Sequence, residues 1–120
     1  MDRKRVLVVE DETMSAMAMA DYLEDLGHEV LELPRDGEEA IALAREKRPD
    51  LVLMDVNLPG PMNGLEAARI IAAESSAAIV FITGYSNEAM ISKAALLSPA
   101  AFIVKPFDFS VLDGILKSLG

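Results

Sequence analysis

Short apolar runs alternate five times with longer stretches of helical period, and this alternation confines the chain to a parallel sheet flanked by helices. The strands are expected at Arg5 to Val9, Glu29 to Leu33, Leu51 to Met54, Ala78 to Ile82 and Ala101 to Val104. Four of these are nearly unbroken apolar segments, as central strands covered on both faces require. The other, Glu29-Val30-Leu31-Glu32-Leu33, alternates and is expected at the sheet edge, half exposed.

Helices are predicted between the strands, at Met14 to Leu26, Gly37 to Lys47, Gly64 to Ala73, Asn87 to Leu97 and Phe109 to Leu119. In the first, Ala18, Met19, Tyr22, Leu23 and Leu26 recur at steps of three and four and form one apolar stripe, with Gly27 as the stop. Asp36-Gly37 turns the chain into the second helix. Asn63, closing the stiff loop Leu58-Pro59-Gly60-Pro61-Met62-Asn63-Gly64, is placed to cap the third. His28, at the Gly27 turn without polar company, is expected at the surface. Met17 points away from the stripe and Met14 sits at its flank, where flexible side chains suit either a docking surface or incidental exposure.

A chain of 120 residues fits one domain, and 52% apolar against 5% aromatic residues gives a core of aliphatic side chains rather than rings. No run reaches the roughly 18 apolar residues of a membrane helix. There is no cysteine, so disulfides and thiolate chemistry are absent and a reducing, cytoplasmic setting is expected. A formal net charge of −9 opposes a phosphate backbone, so no direct nucleic-acid partner is expected.

In such sheets ligands sit beyond the carboxyl ends of the strands. Glu10-Asp11 follow the first strand, Asp55 the third, Thr83-Gly84 the fourth and Lys105-Pro106 the fifth. Polar strand ends are ordinary one at a time; all of them together are not. Three carboxylates on one rim repel by on the order of 4 kcal/mol per pair at 4 Å and an effective dielectric near 20. Lys105 can neutralise one. An oxygen-rich pocket without His or Cys suits a hard divalent cation, Mg2+ first and Mn2+ as a substitute. Glu10 and Asp11 are the candidates to hold it, leaving Asp55 as a carboxylate nucleophile toward a phosphoryl group. The Thr83 hydroxyl, the Lys105 ammonium and the backbone N–H groups of Gly84 and Asn57 are suitable donors to phosphoryl oxygens.

Glu10-Asp11, Asp55, Thr83 and Lys105-Pro106-Phe107, in this order over nearly the whole chain, closely resemble the receiver domain of response regulators. The resemblance implies a flavodoxin-like (βα)5 three-layer sandwich with strand order 2-1-3-4-5, and Mg2+ held by Glu10, Asp11, Asp55 and the Asn57 carbonyl. It implies phosphorylation of Asp55 by a sensor histidine kinase or a histidine phosphotransfer protein, and a cis peptide before Pro106. Phe102 falls at the family's aromatic switch position, beside a Thr83 that moves toward the phosphoryl group, so that the surface of helix four, strand five and helix five changes. Its plainer role is a core Phe. Asn57 and Tyr85 fall where the family tunes the lifetime of the phosphoaspartate. The loop after Asp55 departs from the usual Pro-x-Met-x-Gly spacing.

Three other readings compete. A flavodoxin-like nucleotide or flavin binder would want a glycine-rich phosphate loop where Glu10-Asp11-Glu12 stand. A degenerate receiver would lack some of the chemical residues. A phosphatase working through an aspartyl phosphate would want an acid where Asn57 stands. The expected protein is therefore a phosphorylation-dependent switch rather than an enzyme acting on others, a monomer or weak dimer, with kinase and output partner unspecified.

Overall fold

The periodicities resolve into five βα units: β1 (Arg5–Val9), α1 (Thr13–Asp25), β2 (Glu29–Glu32), α2 (Gly37–Lys47), β3 (Leu51–Asp55), α3 (Gly64–Glu74), β4 (Ala78–Thr83), α4 (Glu88–Ala95), β5 (Ala101–Val104) and α5 (Ser110–Ser118). This is a computed structural model, and it describes residues 3–84 and 87–120. All neighbouring strands pair parallel, in the order β2-β1-β3-β4-β5.

Because successive side chains of a strand point to opposite faces, β1 feeds two cores at once. Val6 and Val8 pack with Met19 and Leu23 of α1 and Leu112 and Leu116 of α5. Leu7 and Val9 pack with Ala40 and Ile41 of α2, Ala67 and Ile71 of α3 and Ala94 of α4. Strands β3 and β4 repeat the division, with Leu51, Leu53, Val80 and Ile82 on the first side and Val52, Met54, Ile79 and Phe81 on the second. The result is the expected three-layer sandwich, helices on both faces of the sheet.

The local signals for turns operate as their chemistry predicts. Asp36 Oδ1 accepts from the Glu39 N–H at the start of α2. Asn63 and Glu66 form a reciprocal capping box at the start of α3. Asn87 caps α4 rather than belonging to it. Gly27, with φ of +95°, takes the left-handed conformation that ends α1.

Three expectations need correction. The apolar run of β5, which its composition alone places among central strands, is an edge strand, as the order 2-1-3-4-5 implies, with Val104 46% exposed. Its composition records cover on its faces, Ile103 in the α1/α5 core and Phe102 against the other. In α1, Ala18 faces solvent while Ala16 and Ala20 are buried, so the stripe is turned by part of a helical step. His28 is not a surface residue: it is only 4% exposed, and its Nδ1 accepts the Lys4 N–H at 3.0 Å. It joins the start of β2 to the residue before β1.

Candidate functional site

The sheet delivers its polar residues to one rim through short, well-tied segments. Directly after β1, the Glu10 N–H donates to Pro34 O at 3.1 Å, fixing the end of β1 to the loop after β2. Arg35 Nη2 donates to the Asp11 carbonyl on the same side. Asp55 and Thr83 are the last residues of their strands rather than loop residues beyond them, so strand pairing itself sets their positions. Val56 is fixed from both directions: its N–H donates to Ile82 O, and its carbonyl accepts from Gly64 N–H at 2.9 Å.

Gly64 marks the closest approach. A Cβ there would collide with the Asp55 carbonyl oxygen and lie 2.8 Å from Val56 Cα. The N-terminus of α3 thus sits directly under the end of β3, which only glycine permits. The residue was legible as a helix start; its closeness to the Asp55 backbone was not.

Carboxylate oxygens of Glu10, Asp11 and Asp55 lie within 4.8 Å of one another. Glu10 and Asp55 are buried, at 2% and 6% exposure. Lys105, immediately after β5, is positioned by its own N–H donating to Thr83 O at 2.7 Å. Its Nζ reaches Glu10 Oε1 at 2.9 Å and Asp55 Oδ2 at 3.2 Å, so one ammonium serves two carboxylates. The other Asp55 oxygen, Oδ1, accepts the Asn57 N–H at 2.8 Å. The Asn57 side chain turns the opposite way, and Nδ2 donates to Thr83 Oγ1 at 2.9 Å.

One cation among three carboxylates leaves an excess of negative charge, and the protonation balance shows it. Burial, then the adjacent Asp55 carboxyl, push Glu10 up to about 8, against the opposing pull of Lys105. Burial acts to lower the Lys105 pKa, and Glu10 and Asp55 together outweigh it, so that Lys105 is raised and stays charged. Glu10 Oε2 is buried with no hydrogen-bond partner among the described residues. An unsatisfied carboxylate oxygen beside two more carboxylates, all hard donors, fits a divalent cation of the Mg2+ class.

The structure therefore brings together Glu10, Asp11, Asp55, Asn57, Thr83 and Lys105. Gly84 is exposed just beyond β4, where a Cβ would meet nothing within 4 Å, so protein packing does not require glycine there. Phe102 stands apart, half-buried on β5 with its ring 6.2 Å from that of Phe81. The Lys105–Pro106 peptide bond is cis. Tyr85 lies outside the described residues.

The family model for the response regulator receiver domain matches residues 6–117. The transcriptional regulatory protein PdtaR of Mycobacterium tuberculosis is 39% identical over 109 residues, covering 91% of this chain and 53% of that protein. The chain thus spans about half the length of that relative. The chemotaxis protein CheY of Thermotoga maritima is 35% identical over 116 residues, 95% of this chain and 96% of its own. Among solved structures, the receiver domain of a modulated diguanylate cyclase from Desulfovibrio desulfuricans G20 superposes with a TM-score of 0.91 at 33% identity, covering 98% of this chain and 93% of that one. A CheY-like receiver domain protein from Methanospirillum hungatei JF-1 gives 0.92 at 26% identity, with 98% and 94% covered. With the acidic rim, the lysine reaching into it and the 2-1-3-4-5 sheet beneath, these matches make the chain a member of the response regulator receiver domain family of two-component signalling.

Proposed function

We propose that the chain is a phosphorylation-dependent switch in which Asp55 accepts the phosphoryl group. The observation that carries this reading is the setting of Asp55: a buried carboxylate with an ammonium on Oδ2, a backbone N–H on Oδ1, and two further carboxylates within reach of a shared cation. The donor is the phosphohistidine of a sensor histidine kinase or a phosphotransfer protein. One Asp55 oxygen attacks phosphorus, the P–N bond to the donor imidazole breaks, and the electron pair leaves with the imidazole nitrogen.

Mg2+, or Mn2+ in its place, would be held by Glu10, Asp11, Asp55 and the Asn57 carbonyl, and when bound supplies the positive charge that lets anionic donor and anionic acceptor meet. Lys105 adds fixed positive charge on the other side of Asp55. The Asn57 and Gly84 N–H groups and the Thr83 hydroxyl are donors to the phosphoryl oxygens. Thr83 and Phe102 carry the change to the α4, β5 and α5 surface, biasing two states of the domain by differential contact. Exposed Ile91, Val104 and Val111 on those elements offer apolar contact to an output partner. Asn57 and Tyr85 set the lifetime of the phosphoaspartate. The protein is read as a cytoplasmic monomer or weak dimer, one domain over residues 1–120, without direct nucleic-acid or membrane partners.

Incubation with Mg2+ and acetyl phosphate, followed by intact mass spectrometry, tests the acceptor. One added phosphoryl group that disappears in Asp55→Asn is the expected result. No addition, or addition that survives the substitution, refutes it.

A further inference from the structure

The Asn57 side chain makes a contact that the acceptor chemistry does not use. Its backbone N–H holds Asp55 Oδ1 while its side-chain amide holds Thr83 Oγ1, so one residue links the nucleophile of β3 to the hydroxyl at the end of β4. The donor is held in place. Val56, its neighbour, is tied to β4 through Ile82 O and to α3 through Gly64 N–H, and Asn57 itself is tied to Asp55. The acceptor is fully buried, with Thr83 at 0% exposure.

We propose that Asn57 is a positioning residue that latches Thr83 in the unphosphorylated state. This rests on the reading of Asp55 as acceptor and Thr83 as the residue that follows the phosphoryl group. Because a hydroxyl can donate and accept at once, it is the displacement of Oγ1 toward a phosphoryl oxygen on Asp55, not the turn of its proton, that breaks the 2.9 Å contact with Asn57 Nδ2. The backbone leading into the loop is tied through Val56 and the Asn57 N–H, so the amide can follow Thr83 only by rotation of its own short side chain. Its contact with Thr83 therefore weights the domain toward the inactive arrangement and weakens binding of any phosphoryl-like group by the equilibrium value of one net hydrogen bond, about 3- to 10-fold. The effect is distinct from control of hydrolysis: it acts before phosphorylation, on the population of the competent state.

A double-mutant cycle read by beryllofluoride binding in Mg2+ tests the latch, with thermal melts of each variant alongside. Asn57→Ala is expected to tighten beryllofluoride binding about 3- to 10-fold. Made on Thr83→Ala, the same substitution is expected to change binding by less than about 2-fold, because the group it restrains is gone. Made on Thr83→Ser, which keeps the hydroxyl, the gain is expected to return. Unchanged or weaker binding by Asn57→Ala overturns the proposal, as does an equal gain on Thr83→Ala. A different result marks failure of the underlying reading: wild-type protein that neither binds beryllofluoride nor takes a phosphoryl group from acetyl phosphate, which removes the latch with it.

Discussion

The Lys105 ammonium lies 2.9 Å from Glu10 Oε1, joining residues 95 positions apart in sequence, and the same nitrogen contacts Asp55. It therefore occupies carboxylate oxygens that a divalent cation would also use. Lys105→Met removes that competitor without adding an acceptor. Mg2+ affinity is expected to rise by about 5-fold or more, since one charge at contact distance is worth at least about 1 kcal/mol even in water. Phosphorylation by acetyl phosphate is expected to slow in the same variant, because the fixed positive charge beside Asp55 is lost. Magnesium titration of both proteins checks the first sign, and weaker binding by the variant contradicts it.

Metal removal should invert the pH dependence of stability. In the metal-free protein Glu10 is raised from 4.5 to about 8. Between those values the folded state binds more protons than the unfolded chain, so stability falls as pH rises through the window. The loss over the whole window is at most on the order of 5 kcal/mol. A cation that needs the Glu10 carboxylate must expel its proton, so stabilisation by Mg2+ grows toward pH 8. Melts across this range in chelator and in Mg2+ check both signs. Glu10→Gln is expected to flatten the chelator curve, and a slope that survives the substitution assigns it elsewhere.

Much of this site was legible because strand ends are written locally, whereas the strand order came only with the resemblance to receiver domains. An apolar run that stops at Glu10, Asp55, Thr83 or Lys105 names the residue at the rim, and the parallel sheet aligns those ends. Whether a run is central was not legible: β5 is as apolar as β3, yet lies at the edge, because helices on both faces demand the same side chains as flanking strands do. The Asn57 contact with Thr83 was also hidden. Residues 26 positions apart meet only once β3 and β4 pair, and an Asn after a strand carries no mark of which way its amide turns.

Gly64 and Gly114 separate packing from propensity. A Cβ on Gly64 meets the Asp55 carbonyl and the Val56 backbone, neither of which can move as a side chain would. Gly64→Ala is expected to cost about 3 kcal/mol or more and to displace the Asp55 backbone. Gly114, inside α5, faces open space, so Gly114→Ala is expected to stabilise by about 0.5 to 1 kcal/mol through helix propensity. Urea unfolding of the two variants should give opposite signs, and a neutral Gly64→Ala denies the close approach of α3 to β3.

His28 is the only histidine, and its burial makes a prediction that a surface histidine would not. Its Nδ1 accepts the Lys4 N–H, so the neutral ring carries its proton on Nε2. Burial lowers its pKa from 6.5, Asp113 on α5 pulls the other way, and the Lys4 charge adds to the lowering. Protonating Nδ1 would also forfeit the bond that ties β2 to the start of β1. As pH falls below about 6.5 the unfolded chain takes up the proton first, so this stability is complete above that pH and is lost as pH falls toward the folded pKa. NMR titration of the single imidazole is expected to give a midpoint below 6.5 in the folded protein. A midpoint at or above that value would mean that the Asp113 carboxylate, not burial, governs the ring.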